Sequence, residues 1–214
     1  MKWDFNPTPT ELISLTAFYK LIKNPISRIE VASAGGYLSY ENIADKATVA
    51  GVEVEVRKNL FVRPLSSAAN GMNKLSFGLN GSDIYTNAKM PLATVTTGSQ
   101  LEGAAPWIAN FDLSHNFTKG NHSFINTLVL NYVSDKIYTI GTQGYQDIME
   151  QGMMTLDFVS QAKLNKYVSL TLKARNLLNP SYKLSRKANE SGEKVVLSDY
   201  KKGINISLGV SCTF

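Results

Sequence analysis

The chain closes on INISLGVSCTF, residues Ile204–Phe214. Every second position is apolar: Ile204, Ile206, Leu208, Val210, Cys212 and Phe214. The positions between are Asn205, Ser207, Gly209, Ser211 and Thr213. A period of two over a whole segment marks an extended strand with one apolar face and one polar face. No shift toward a 3.6-residue period interrupts it, so a helix is excluded here.

Working back from this end, the same alternation recurs. ELISLTAFYKLI sets Ile13, Leu15, Ala17 and Tyr19 against Ser14, Thr16 and Lys20. TVAGVEVEVRKNLF sets Val52, Val54 and Val56 against Glu53, Glu55 and Arg57. PWIANFDLSHNF sets Trp107, Ala109, Phe111, Leu113 and Phe117 against Asn110, Asp112, Ser114 and Asn116. Comparable patterns run through Lys74–Asn80, Phe124–Tyr132 (with Asn126 as a blemish), Met154–Leu164 and Val168–Arg175. With a short strand at Met1–Asn6, about nine strands are expected, in an antiparallel all-β meander.

The strands are long. Five or six residues is usual in a soluble sandwich, whereas a tilted strand crossing a bilayer needs about 9–11. Connections alternate in length. Pro7–Thr10, the turn at Lys119 and Asn165–Lys166 are short; Lys23–Thr48, Lys89–Ala105, Thr139–Gly152 and Asn179–Lys202 are long. RPLSSAANGM occupies a short slot but is longer than the others. Short turns on one side and long loops on the other are the habit of outer-membrane barrels. Aromatic residues fall near strand ends: Phe61, Phe117, Tyr167 and Phe214 toward one rim, Tyr19, Trp107 and Tyr132 toward the other. Glu53, Glu55, Arg57, Asp112, Asp157, Lys173 and Arg175 lie mid-strand on the polar face, as suits a wet or plugged lumen. The expectation is a part of a transmembrane β-barrel, an open curved sheet if these strands stand alone.

Composition narrows the function. Hydrophobic residues make up 43% of the 214, enough to coat a large apolar surface. The net charge of +5 comes without a basic cluster interleaved with aromatics, so nucleic acid is not an expected partner. Cys212 is the single cysteine, which excludes an internal disulfide. No apolar run approaches the length of a transmembrane helix, and MKWDFNPTPT has no apolar core of a secretory signal.

LTLKARNLLNPSY and the terminal LSDYKKGINISLGVSCTF resemble the carboxy-terminal end of TonB-dependent outer-membrane receptors. WDFNPTPTELISLTAFYKLIKNPI and TVAGVEVEVRKNL resemble their later barrel strands, in a style common among Bacteroidetes. The resemblance covers essentially the whole chain. It implies a barrel of about 22 strands filled by an amino-terminal plug. It also implies uptake of a scarce nutrient (a ferric siderophore, a cobalamin or a glycan) driven through TonB from the inner membrane. Outer-membrane lipid and the barrel-assembly machinery are then partners, with Phe214 resembling the terminal aromatic that the machinery reads. Against that pattern, residues 1–214 carry no plug, TonB box or signal peptide, so the expectation is a carboxy-terminal segment of such a barrel. Two alternatives stand beside it: a small self-contained outer-membrane barrel with a structural or adhesive role, and a soluble β-sandwich binding module.

Enzyme chemistry finds little support. His115 and His122 are the only histidines. Ser114 and Ser123 are their sequence neighbours, and strand neighbours point to opposite faces. Neither a catalytic site, a metal site nor a cofactor is expected. The Glu53/Glu55 pair reads as a lumen charge ladder or as a contact with the plug of the intact receptor, and Asp157, Lys163, Lys173 and Arg175 are expected to pair across strands. Ligand contact, if any, belongs to the outer loops, where Tyr37, Tyr40, Tyr138, Tyr145 and Tyr182 lie.

Overall fold

The computed structural model describes residues 1–31, 36–65, 71–88, 100–142, 144–188 and 192–213. Nine strands form one antiparallel sheet: β1 (Lys2–Phe5), β2 (Leu12–Lys23), β5 (Lys46–Pro64), β6 (Gly71–Ala88), β7 (Trp107–Lys119), β8 (His122–Val133), β11 (Met153–Lys163), β12 (Val168–Arg175) and β15 (Asn205–Cys212). Each pairs with the next in that order. The sheet is open, with β1 at one edge and β15 at the other.

The register explains the alternation. One row across the sheet runs Phe5, Ile13, Val56, Leu79, Phe111, Leu130, Leu156. The adjacent row, one residue away on every strand, runs Asp4, Ser14, Glu55, Asn80, Asn110, Asn131, Thr155. Directly opposed residues share a face, so the first row is wholly apolar and the second wholly polar. Hydrogen bonds link the polar row across strands, as from Asn110 Nδ2 to Asn80 Oδ1 (3.3 Å). A sandwich would cover the apolar face with a second sheet. Instead Val54 is 42% exposed and Leu208 71%.

The loops carry a correction. Three of the expected long connections are themselves strands: β3 (Ile26–Glu30) with β4 (Leu38–Asn42), β10 (Ile148–Glu150), and β13 (Ser181–Lys187) with β14 (Lys194–Lys201). Together with β9 (Lys136–Thr139) they form a four-stranded sheet, β14-β13-β10-β9, and a hairpin, β3-β4. A parallel bridge from Ile29 to Ile140 joins the two. Much of Lys89–Ala105 lies outside the described residues.

This outer cap holds the molecule's buried apolar cluster. Ile29, Ile43, Ala44, Leu101, Ile137 and Ile140 pack on Ala47 and Ala88. In β5 the odd positions from Ala47 to Arg57 share a face, with no register shift between them. The cap is therefore built on the polar face of the sheet, at its long-loop end. Where a strand passes from sheet to cap, polar side chains fix the bend. Asn176 and Asn179 adopt positive φ (59° and 45°), which asparagine tolerates better than most residues. Asn176 Nδ2 donates to the carbonyl of Gly203 (2.7 Å), and Gly203 N donates to Asn179 Oδ1 (3.1 Å). The NLLN segment is thus a latch between the β12–β13 and β14–β15 bends.

Candidate functional site

On the polar face, β5, β6 and β7 bring Glu55, Arg57, Asn80, Asn110 and Asp112 around a shallow cleft of about 350 Å³. Arg57 Nη2 lies 2.6 Å from Glu55 Oε1. These residues are two apart on one strand, so they share a face. Asp112 lies over Gly78, where any Cβ would collide with the carboxylate. Glu53 stands one pair further out, opposite Thr16 and Ser82. All four expected charges of this half therefore share the polar face.

The other half departs from expectation. Asp157, Lys173 and Arg175 do share the polar face, but the expected carboxylate–cation ladder is not how Asp157 is used. Its Oδ1 accepts from the backbone N–H of Asn176 (2.8 Å). Lys173 stands opposite Val159 and Ser207, and Arg175 opposite Asn205. A bend at the end of β12 needs its amide satisfied, and the nearby carboxylate does this.

In the cap, three of the five expected tyrosines brace charged groups. Tyr138 lies flat against the Arg28 guanidinium, 3.9 Å from ring centre to Cζ. That guanidinium donates to Glu102 Oε1 (3.0 Å), while the Arg28 backbone N–H donates to Glu102 Oε2 (2.9 Å). Tyr145 lies under Arg186 (5.3 Å), which is ion-paired with Glu30. Tyr182 donates to Glu150 Oε2 (3.2 Å), and Lys136 holds the other oxygen (3.3 Å). Burial first, then the adjacent Glu150 charge, pushes the Tyr182 hydroxyl up to about 12. Tyr200 packs against it at 5.1 Å, and the Lys202 ammonium sits 5.0 Å from its ring centre.

Tyr40 and Tyr37 differ from these. Both are exposed (68% and 70%), and Tyr40 stands opposite Arg28 in the β3–β4 ladder. Arg28 thus has the Tyr138 ring against its guanidinium and Tyr40 as its ladder partner on the cap. Sequence reasoning missed Arg28, Glu30, Glu102 and Arg186. The signal was available in ISRIE, an alternating segment inside a connection taken as loop. Phe214 lies outside the described residues.

The histidines do not converge. His115 and His122 share the apolar face but lie some four strand positions apart, because Lys119 stands opposite His122; that is roughly 13 Å at ~3.3 Å per residue. His115 Nε2 is 2.8 Å from Asn73 Oδ1. Ser114 points to the other face and bonds Thr127 Oγ1 (3.1 Å). No serine–histidine pair forms here.

Residues 1–177 match the family model described as TonB dependent receptor-like, beta-barrel. The chain belongs to that family. Neither the curated proteins nor the solved structures contain a match. TonB-dependent receptors are outer-membrane transporters, not enzymes, and the intact receptor works with a plug domain and TonB. The nine-stranded sheet accordingly belongs to a barrel-type domain, with its apolar rows on one face and its polar rows on the other. The aromatic residues Tyr19, Tyr85, Trp107 and Tyr132 all lie on the apolar face, toward its long-loop end.

Proposed function

We propose that residues 1–214 are the carboxy-terminal wall of a receptor that carries a scarce nutrient across the outer membrane. The cargo class is a ferric siderophore, a cobalamin or a glycan. The observation that carries this reading is the pair of adjacent rows, one wholly apolar and one wholly polar, crossing seven strands without a fault. A sandwich would show the same two rows but would cover the apolar one, whereas here that face stays open, with Val54 42% and Leu208 71% exposed, which favours hydrocarbon as its neighbour. An open sheet in lipid would leave unpaired backbone groups at several kcal/mol each, so the wall closes with further strands of the intact receptor. That disfavours the small self-contained barrel.

In this reading Glu53, Glu55, Arg57 and Asp112 face the plug, and Lys173 and Arg175 line the same lumen. The inward-leaning cap covers the mouth. Tyr138 stacked on Arg28, with the exposed Tyr40 opposite in the ladder, presents to the cargo an aromatic surface beside a cation, suited to a sugar face or to an anionic aromatic chelate. Phe214 serves as the assembly signal.

The test is made in cells producing the full-length gene product. It should fractionate with the outer membrane and migrate faster on gels before boiling than after. Tyr40→Ala with Arg28→Ala should cut uptake about ten-fold at unchanged outer-membrane level, the loss of one stacked, charge-assisted contact. A soluble monomer obtained without detergent would overturn the receptor reading and restore the sandwich.

A further inference from the structure

Toward the short-turn end, uncharged polar side chains interrupt the apolar face as a connected group. Near the short-turn end of β6, β7, β8 and β11, positions that should be apolar are Asn73, His115, Asn126 and Ser160. They are neighbours. His115 stands opposite Asn126, Asn126 opposite Ser160, and Asn73 lies diagonally beside His115. This row lies inside the apolar band. From Trp107 to Phe117 on β7, ten residues at ~3.3 Å and a tilt of ~40° span roughly 25 Å, the height of a barrel's lipid-facing belt. His115 is one pair inward of the Phe117–Phe124 rim contact.

Polar groups at that depth are costly unless something satisfies them. Part of the demand is met internally. An amide oxygen only accepts, so His115 Nε2 donates to Asn73 Oδ1 (2.8 Å), and Ser160 Oγ donates to Asn126 Oδ1 (2.7 Å). Both amide oxygens are thereby engaged. The row's amides still have N–H to offer, which calls for a partner made of acceptors.

The charge around the row has one sign. Residues 58–65, 71–75 and 114–125 include Lys58, Arg63, Lys74 and Lys119 and no Asp or Glu. By register Lys58, Arg63 and Lys119 are on the outward face, opposite Phe77, Asn73 and His122. Arg63 folds its guanidinium along the Phe61 ring (5.6 Å), with an apolar stem on the wall and its charge at the rim. The neighbouring carboxylate on the β2 side, Glu11, accepts from the backbone N–H of Asn59 (3.0 Å).

We propose that this patch is a binding site for the phosphodiester headgroup of an anionic phospholipid in the periplasmic leaflet. The headgroup sits at the depth of the Phe117–Phe124 rim. Its oxygens accept from the Asn73 and Asn126 amides, and Arg63 and Lys119 neutralise its charge. The acyl chains lie on Leu113, Leu128 and Phe158 above. A protein strand fits less well, because it presents donors and acceptors in equal number. This inference rests on the receptor reading, since it needs the apolar face in lipid.

The experiment uses the full-length gene product from outer membranes, washed in mild detergent and returned to defined lipid. Bound lipid is counted by native mass spectrometry with phosphatidylglycerol, with phosphatidylethanolamine, and with inorganic phosphate alone. The wild type should retain phosphatidylglycerol over phosphatidylethanolamine, and inorganic phosphate should not displace it. Removing two charges with Arg63→Gln and Lys119→Gln should weaken retention roughly ten-fold or more, at ~1 kcal/mol per cation near an anionic headgroup. His115→Leu with Asn126→Leu, which restores the apolar pattern, should abolish the preference while keeping the heat-modifiable gel shift. Equal retention by wild type and both double variants overturns the proposal. So does a stoichiometric protein in place of lipid. Recovery of the wild type outside the membrane instead overturns the receptor reading, and this site with it.

Discussion

The nine-stranded wall and the outer cap are made from the same kind of strand, yet they bury opposite things. In the wall, Leu208, Ile206 and Val54 are exposed, and among the described residues no apolar layer covers them. In the cap, Ile140 is 1% exposed, Ile43 3% and Ile137 5%. On the receptor reading proposed above, the difference is one of solvent. The wall's apolar rows would meet hydrocarbon, so burial within the protein is unnecessary there, whereas the cap would stand in water, where its isoleucines gain free energy only by finding each other. The cap's charges follow the same division: Arg28–Glu102 and Arg186–Glu30 are half-buried and braced by rings, whereas the wall's Arg57–Glu55 pair lies open on the polar face.

The contrast breaks most sharply at Ile140. Truncation to alanine should cost about 2–5 kcal/mol of cap stability, as for other fully buried isoleucines. Leu208→Ala on the wall should cost far less. Protease susceptibility of the outer loops on intact cells would separate the two. Equal sensitivity of both variants would mean that the cap core is not the buried one.

A reciprocal change sharpens the other side. Leu130 lies in the mid-height apolar row, opposite Phe111 and Leu156. Leu130→Arg should destabilise the assembled barrel by about 2–4 kcal/mol, the cost of a cation at the bilayer midplane. Thr127→Arg, on the lumen face, should be much milder. Urea unfolding in lipid vesicles measures both, and an equal loss would put water, not lipid, on the apolar face.

The smallest effect is confined to the cap. Tyr182 keeps its proton up to about 12 in the folded protein, against an ordinary value near 10. Below pH ~10 both folded and unfolded chains are protonated, and the stabilisation is fully present. Between ~10 and 12 the unfolded chain ionises first, so stability falls as pH rises through that window. Tyr182→Phe should remove this component of the alkaline loss, seen as one fewer late-titrating phenol in the 295 nm absorbance.

Much of the wall was legible in the residues. Glu55 beside Val56, Asn110 beside Phe111 and Asn131 beside Leu130 declare the two faces locally, because strand period is a backbone property. The cap was not legible as structure. Its strands are short, three to eight residues, and its core gathers Ile29, Leu101 and Ile137 from distant parts of the chain. No local period signals such a gathering. Of the tyrosines assigned to the long connections, Tyr138, Tyr145 and Tyr182 are spent on Arg28, Arg186 and Glu150, partners far away in sequence.

By itself the sequence determined that this chain is a run of long two-faced strands, with short turns at one end and long connections at the other. That follows from alternation, which each strand carries within itself. Only the tertiary structure decided that the connections fold into a cap leaning over the polar face, and that Asn73, His115, Asn126 and Ser160 meet as one polar row on the apolar face. Those are matters of register between strands, and register is set by pairing across the whole sheet.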